Sequence, residues 1–196
     1  MNIAIFRLIN DLANGNKALD GIMIFFSKYV PYIFMIILAM VFVLGIIKKN
    51  SDYRKAAVNT FFITVINLLL SLIIGGIYYV DRPFVHNKVN LLFPHVEDAS
   101  FPSDHATGTM SIALGLGKYN KVFSRILVIL SIIIGISRVY VGHHYPIDVI
   151  GAYLMVSLIT YIYNAKLKGK IEKLYEIVEK KITIRFGLEK LYEETL

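Results

Sequence analysis

The chain contains no cysteine. Disulfides, thiolate nucleophiles and zinc–thiolate centres are therefore excluded from its chemistry. Tryptophan is absent too, so any aromatic belt at a membrane boundary has to use the 13 Tyr and 12 Phe. Acid is scarce: 14 Asp and Glu stand against 21 Lys and Arg, a formal net charge of +7. The polar surface of a soluble domain is also missing, since 56% of the 196 residues are hydrophobic, a share that points to a membrane protein. In a soluble protein the positive charge would suggest nucleic acid. Here the basic residues cluster between apolar runs, which suggests anionic lipid headgroups and control of topology instead. No nucleic-acid partner is expected.

The first residues, MNIAIFRLINDLANGNK, are broken by Arg7, Asn10, Asp11, Asn14 and Asn16, and without a long apolar centre they do not read as a cleavable signal. Ile3, Ile5, Phe6, Leu8, Ile9 and Leu12 would give a short helix a mostly apolar face. Residues 1–18 are expected to lie as a helix in the membrane interface.

A spanning helix needs about 20 mostly apolar residues. The runs fall at roughly 30–47, which LDGIMIFFSKY could extend backwards, then 57–80, 105–116, 122–139 and 146–163. The third is short and rich in small residues, as a buried helix can be. No internal repeat or low-complexity linker interrupts them. The expectation is an all-α integral membrane protein: a bundle of about five to six transmembrane helices forming one domain over residues 1–165, with a tail at 166–196.

Basic residues occupy alternate connections. Lys48, Lys49, Arg54 and Lys55 follow the first run, Lys118, Lys121 and Arg125 separate the third from the fourth, and Lys166, Lys168, Lys170 and Lys173 follow the fifth. These connections are expected on the cytoplasmic side. Connections 81–104 and 139–146 then share the extracytoplasmic face. In the tail, Ile171, Leu174, Val178 and Ile182 recur at helical spacing among Lys and Glu, which suggests an amphipathic helix at the inner surface; a solvated tail is the plainer alternative.

Three polar clusters fall on the outer side: Asp81-Arg82-Pro83-Phe84; Pro102-Ser103-Asp104-His105; and Ser137-Arg138, with His144 after five intervening residues and Asp148 after three more. Each residue has an ordinary role open to it. An arginine at a helix end can snorkel, Ser103 and Asp104 can cap a helix, and Pro146 suits a helix start. Together, two arginines, two histidines and a carboxylate at helix ends near a membrane are harder to explain without function. Their chemistry is that of an anion site. Arg82 and Arg138 can fork onto phosphate oxygens, and Ser103 adds a hydroxyl at the positive end of a helix. Asp148, one turn beyond His144, could accept a hydrogen bond from one ring nitrogen and leave the other as a nucleophile. His105 could protonate a leaving oxygen.

The set RP…PSxH…SRx5Hx3D resembles the membrane branch of the type 2 phosphatidic acid phosphatase superfamily, over about residues 20–165. Arg82-Pro83 is similar to the end of its first motif, PSDH to its second with Asp104 where Gly is commonest, and Ser137-Arg138, His144 and Asp148 to its third in full. The first motif usually opens with Lys seven positions before the arginine; here Gly75 stands there, so one phosphate-binding charge is missing, and Lys88 is a candidate substitute. Within the family, RPF, DASFPSDHATG and LDGIM resemble the bacitracin-resistance type of undecaprenyl-diphosphate phosphatase.

That resemblance implies a polyprenyl diphosphate substrate, a lipid-carrier recycling role in cell-wall synthesis, and an active site facing outside a cell membrane. It implies a phosphohistidine route with catalytic His144, His105 and Asp148, and phosphate held by Arg82, Ser103, Asp104, Ser137 and Arg138. No cofactor and no metal are expected, because two cations and a helix end can do the electrostatic work. Asp81, Asp104 or both are expected to orient an arginine, while His86, His95, Glu97 and Asp98 line the outer loop, as loop residues or, alternatively, in direct contact with a headgroup. A broader lipid phosphatase and a non-catalytic phospholipid-binding or transport protein remain as alternatives.

Overall fold

In chain order the elements are α1 (Asn2–Asn10), α2 (Lys17–Lys28), α3 (Val30–Ile47), α4 (Ser51–Ile77), the single turn α5 (Pro83–His86), α6 (Asp104–Gly115), α7 (Lys121–Tyr140), α8 (Pro146–Lys166) and α9 (Lys168–Phe186). They come from a computed structural model that describes residues 2–188. Four of them, α3, α4, α7 and α8, are long and apolar enough to cross a membrane. The end of the expected tail, 189–196, lies outside the described residues.

Local chemistry sets the boundaries. Asn50 Oδ1 accepts the Tyr53 N–H at 3.1 Å and Asn120 Oδ1 the Phe123 N–H at 2.9 Å, each an N-cap worth about 1 kcal/mol. The Asn50 cap starts α4 six residues before its expected apolar run, taking in the polar turn SDYRKA. The backward extension of the first run does form a helix, α2, but as a separate element. Pro31 cannot supply an N–H to the carbonyl four residues back, and the chain breaks at Tyr29.

The short helix α6 is the centre of the bundle. It packs against α3, α4, α7 and α8, and Ala106, Thr107, Thr109, Met110, Ser111, Ile112 and Ala113 are buried. Between helices in lipid, close approach of small residues replaces the hydrophobic drive of water. Gly115 shows this: a Cβ there would sit 2.7 Å from Thr60 Oγ1. With Ser71 against Asp104 at the other end, α4 and α6 run antiparallel in direct contact.

The first helix does more than rest on the bundle. Phe6 is buried with Ala106, Val139, Val149 and Ala152, while Ile5, Leu8 and Leu12 stay exposed. Asn10 locks it. Its side-chain amide donates to the carbonyls of Asn90 (2.9 Å) and Tyr140 (2.8 Å), and Asn90 returns bonds to Asn10 Oδ1 (2.9 Å) and Asn10 O (3.1 Å).

At the opposite end, α9 is docked by its acidic face. Arg54, buried in α4, bonds Glu179 at 2.7 Å and the Gly45 carbonyl at 2.9 Å. Lys55 pairs with Glu176 at 2.7 Å, and Asn59 donates to Glu172 at 3.0 Å. The apolar stripe expected to lie on the inner membrane surface is not covered by the bundle: Leu174, Val178 and Ile182 are exposed. The acidic face turns inward because the buried Arg54 needs a carboxylate.

Candidate active site

Three chain segments meet at the N-terminal end of α6. The turn between α7 and α8 brings His144, the strand-like segment before α6 brings Ser100 and Ser103, and the turn before α5 brings Arg82. His144 is buried. Its Nε2 lies 2.9 Å from Arg82 Nη1, which can only donate, so Nε2 accepts. Nδ1 therefore carries the proton and donates to the Ser100 carbonyl at 2.9 Å. This tautomer leaves the nucleophilic lone pair on Nε2, facing the arginines. Burial, and then the charges of Arg138, Arg82 and His105, hold the His144 ring well below the ordinary histidine value and keep it neutral.

Asp148 is close but does not take the ring proton directly. Its Oδ2 lies 3.7 Å from His144 Nδ1, too long for a hydrogen bond. That oxygen instead accepts the Ser100 hydroxyl at 2.5 Å and the Tyr145 N–H at 2.8 Å. Asp148 thus caps its own helix and grips the residue whose carbonyl orients the His144 ring. The expected direct Asp148–His144 bond is replaced by a link through Ser100.

Arg82 is oriented by a residue outside the motifs. Its Nε donates to Asp98 Oδ1 at 2.6 Å, and its Nη1 also reaches the His143 carbonyl at 3.0 Å. Neither carboxylate expected for this task performs it: Asp81 pairs with exposed His86 at 2.9 Å, and Asp104 accepts from Ser71 Oγ at 2.8 Å. Asp98 had only its place sixteen residues after Arg82 to recommend it, and sequence spacing across a loop carries no geometry.

Arg138 is the most exceptional group. It is 1% exposed, and only Nη1 has a partner, Ser27 Oγ at 3.1 Å. Nε and Nη2 are buried without an acceptor among the described residues, as is the hydroxyl of Ser103. Ser103 occupies the N-cap position of α6 but makes no side-chain cap bond. The first N–H groups of α6 lack intrahelical acceptors, as at any helix start. A buried cation with two unmet donors, an unmet hydroxyl and a helix N-terminus together fit a tetrahedral anion.

The other expected residues fall as follows. His105 stands half-buried in the first turn of α6. Ser137 is buried, but its hydroxyl donates to the Ile134 carbonyl at 2.7 Å inside α7; its proton is committed to the helix and not offered to the site. Lys88 is exposed and makes no hydrogen bond or ion pair among the described residues. Gly75 lies against the loop: a Cβ there would be 3.1 Å from Ala99 Cβ and 3.3 Å from the Phe101 carbonyl. The fold has closed over the position where the missing lysine would start. Ser100 and Ser27 carry contacts that sequence reasoning did not assign, though Ser100 lies within the polar stretch ASFPSDHATG.

Comparison with known proteins gives the class first. The chain is 33% identical over 189 residues to undecaprenyl-diphosphatase BcrC of Bacillus subtilis, covering 93% of this chain and 96% of that one. It is 32% identical to an undecaprenyl-diphosphatase of Sulfolobus acidocaldarius, covering 91% and 84%. Among solved structures, Aquifex aeolicus LpxE superposes with a TM-score of 0.70 at 27% identity, over 82% of this chain and 93% of that one. The PAP2-type phosphatidylglycerolphosphate phosphatase of Bacillus subtilis shares the fold, with a TM-score of 0.62 at 20% identity over 84% of each chain. With its apolar helices, the chain is a multi-pass membrane lipid phosphatase. The PAP2 superfamily model matches residues 56–170, a span that holds every motif residue above, and the chain belongs to that superfamily.

Proposed function

We propose that this enzyme hydrolyses the terminal phosphate of undecaprenyl diphosphate at the extracytoplasmic membrane surface, yielding undecaprenyl phosphate and inorganic phosphate. The observation that carries the reading is the pair of unmet donors on Arg138, a cation whose charge acts on the buried His144, together with the unmet Ser103 hydroxyl at the start of α6. The names of the Bacillus and Sulfolobus relatives support the choice of lipid. Charge supports the side of the membrane: Lys48, Lys49, Lys118, Lys121 and Lys166 lie in connections at the end remote from His144, and basic connections favour the inside.

In this mechanism Nε2 of His144 attacks the terminal phosphorus and the bridging P–O bond breaks. Nδ1–H stays on the Ser100 carbonyl, which steadies the ring as it becomes charged. Arg138, Arg82, Ser103 and the first N–H groups of α6 hold the equatorial oxygens. His105 gives a proton to the departing lipid phosphate, then takes one from the water that cleaves the phosphohistidine. The arginines supply the positive charge that a metal supplies elsewhere.

The test is phosphate release from undecaprenyl diphosphate by the detergent-solubilised protein with a strong chelator present, beside phosphatidylglycerol phosphate and phosphatidate. Release from the diphosphate should survive the chelator and fall by about four or more orders of magnitude in His144→Ala, as nucleophile deletions do. Preferred turnover of another lipid would replace the substrate. Phosphate release by a folded His144→Ala would remove the nucleophile, and complete dependence on added Mg²⁺ would remove the metal-free route.

A further inference from the structure

His95 belongs to none of the motifs, yet the loop before α6 delivers it to the site. That loop is tied down on both sides of it: the Phe93 carbonyl accepts from His143 Nε2 at 2.9 Å, and Asp98 holds Arg82 at 2.6 Å. The His95 ring centroid is 4.6 Å from that of His143 and 6.5 Å from that of His144. Its side chain is 19% exposed, so it stands at the rim and not in the floor. Nδ1 bonds the Val96 carbonyl at 3.0 Å and lies 3.9 Å from Asp98 Oδ1. A carbonyl can only accept, so Nδ1 carries a proton and the neutral ring leaves Nε2 bare. No hydrogen bond to Nε2 is formed among the described residues. The charged and titratable groups facing it are Arg82, Arg138, His105, His143 and Asp98.

A diphosphate brings two phosphates, and the motif residues account for one. Arg138, Ser103 and the α6 N-terminus surround the terminal phosphorus attacked by His144. His105 is engaged with the bridging oxygen. The non-bridging oxygens of the lipid-linked phosphate have no partner in that scheme, and they must lie toward the rim, because the tail leads out to lipid. His95 is the unassigned polar group there. In the empty site burial, together with Arg82 and Arg138, keeps the ring neutral. An arriving diphosphate offsets those cations, so the ring can take up a proton and present Nε2–H.

Resting on the function proposed above, we propose that His95 contacts the lipid-linked phosphate and makes the site select lipid diphosphates over lipid monophosphates. The test compares kcat/KM for undecaprenyl diphosphate and for phosphatidate in wild type, His95→Ala and His95→Asn, each checked for an unchanged melting temperature. Loss of one charge-assisted hydrogen bond should lower the diphosphate value about 10- to 100-fold and leave the monophosphate value within about 3-fold. Inorganic pyrophosphate and inorganic phosphate, used as competitive inhibitors, make the same comparison without a lipid: pyrophosphate alone should weaken in the variants. Equal losses on both substrates, or no loss on either, would overturn the assignment of His95. A wild type that turns over phosphatidate but not the diphosphate would overturn the substrate itself, a failure visible before any variant is made.

Discussion

Arg82 Nη1 rests 2.9 Å from His144 Nε2, on the lone pair that the proposed reaction needs. The guanidinium therefore shields the nucleophile in the empty site, and a bound phosphate gives it a better, charged acceptor. Asp98 holds the other side of the same guanidinium at 2.6 Å. Asp98→Ala should lower kcat/KM because Arg82 loses its anchor, and Arg82→Ala should lower it about 100- to 1,000-fold, the scale of one lost transition-state donor. Once Arg82 is gone, removing Asp98 should add little, so the double-mutant cycle should show coupling of about 0.5–3 kcal/mol. Additive effects would mean that Asp98 does not act through Arg82.

The histidines also shape stability. Burial and the charge of Arg138 push His143 from an ordinary 6.5 down to about 2. Between those values the unfolded chain binds a proton that the folded chain refuses. Stability then falls as pH drops below 6.5, by about 1.4 kcal/mol per pH unit once well below it. His144 and His95 shift the same way. The melting temperature in detergent should decline from pH 7.5 to 5, and His143→Gln should flatten that decline without abolishing it. A variant with the wild-type slope would show that His143 contributes nothing to it.

Gly75→Lys would restore the charge with which the family's first motif usually opens. Here it should harm. Its Cβ would crowd Ala99 Cβ at 3.1 Å and the Phe101 carbonyl at 3.3 Å, in the loop that carries Asp98 and Ser100. Overpacking of this kind costs roughly 1–3 kcal/mol, and kcat/KM should fall with stability. A gain in activity would mean that the loop yields and that the missing charge limits the enzyme.

Glu179→Ala removes the carboxylate from buried Arg54. Leaving a buried charge without its partner costs roughly 3 kcal/mol, so thermal stability should drop. The pair lies near the start of α4, whereas Ser71, which touches the site, lies near its end. Turnover at saturating substrate should therefore remain near wild type below the melting temperature. A large loss of turnover without a loss of stability would make α9 part of the catalytic apparatus.

Much of this was legible in the sequence because membrane helices announce themselves by length and apolarity. The 30–47 run became a helix with those bounds, and the runs at 122–139 and 146–163 missed theirs by three residues at most. His144 and Arg138 could be singled out because the pattern SRx5Hx3D sets them on either side of the turn between two consecutive helices. Asp98 and Ser100 were not assigned, since a loop's path depends on tertiary bonds that no period records. The bond from the Ser137 hydroxyl to the Ile134 carbonyl was not foreseen, because a helical serine always has a nearby carbonyl competing for its proton. The pairing of the acidic face of α9 with α4 was not assigned, since ion pairs between elements leave no period in the sequence.

The Asn10–Asn90 lock has a consequence for biogenesis. α1 is made well before its partners: Asn10 bonds groups 80 and 130 residues later in the chain, and Phe6 packs against Val139, Val149 and Ala152. α1 therefore cannot settle until α8 has been made. An element synthesised before its partners is among the last to dock, and it closes the wall beside the α7–α8 turn only after insertion of the bundle is nearly complete.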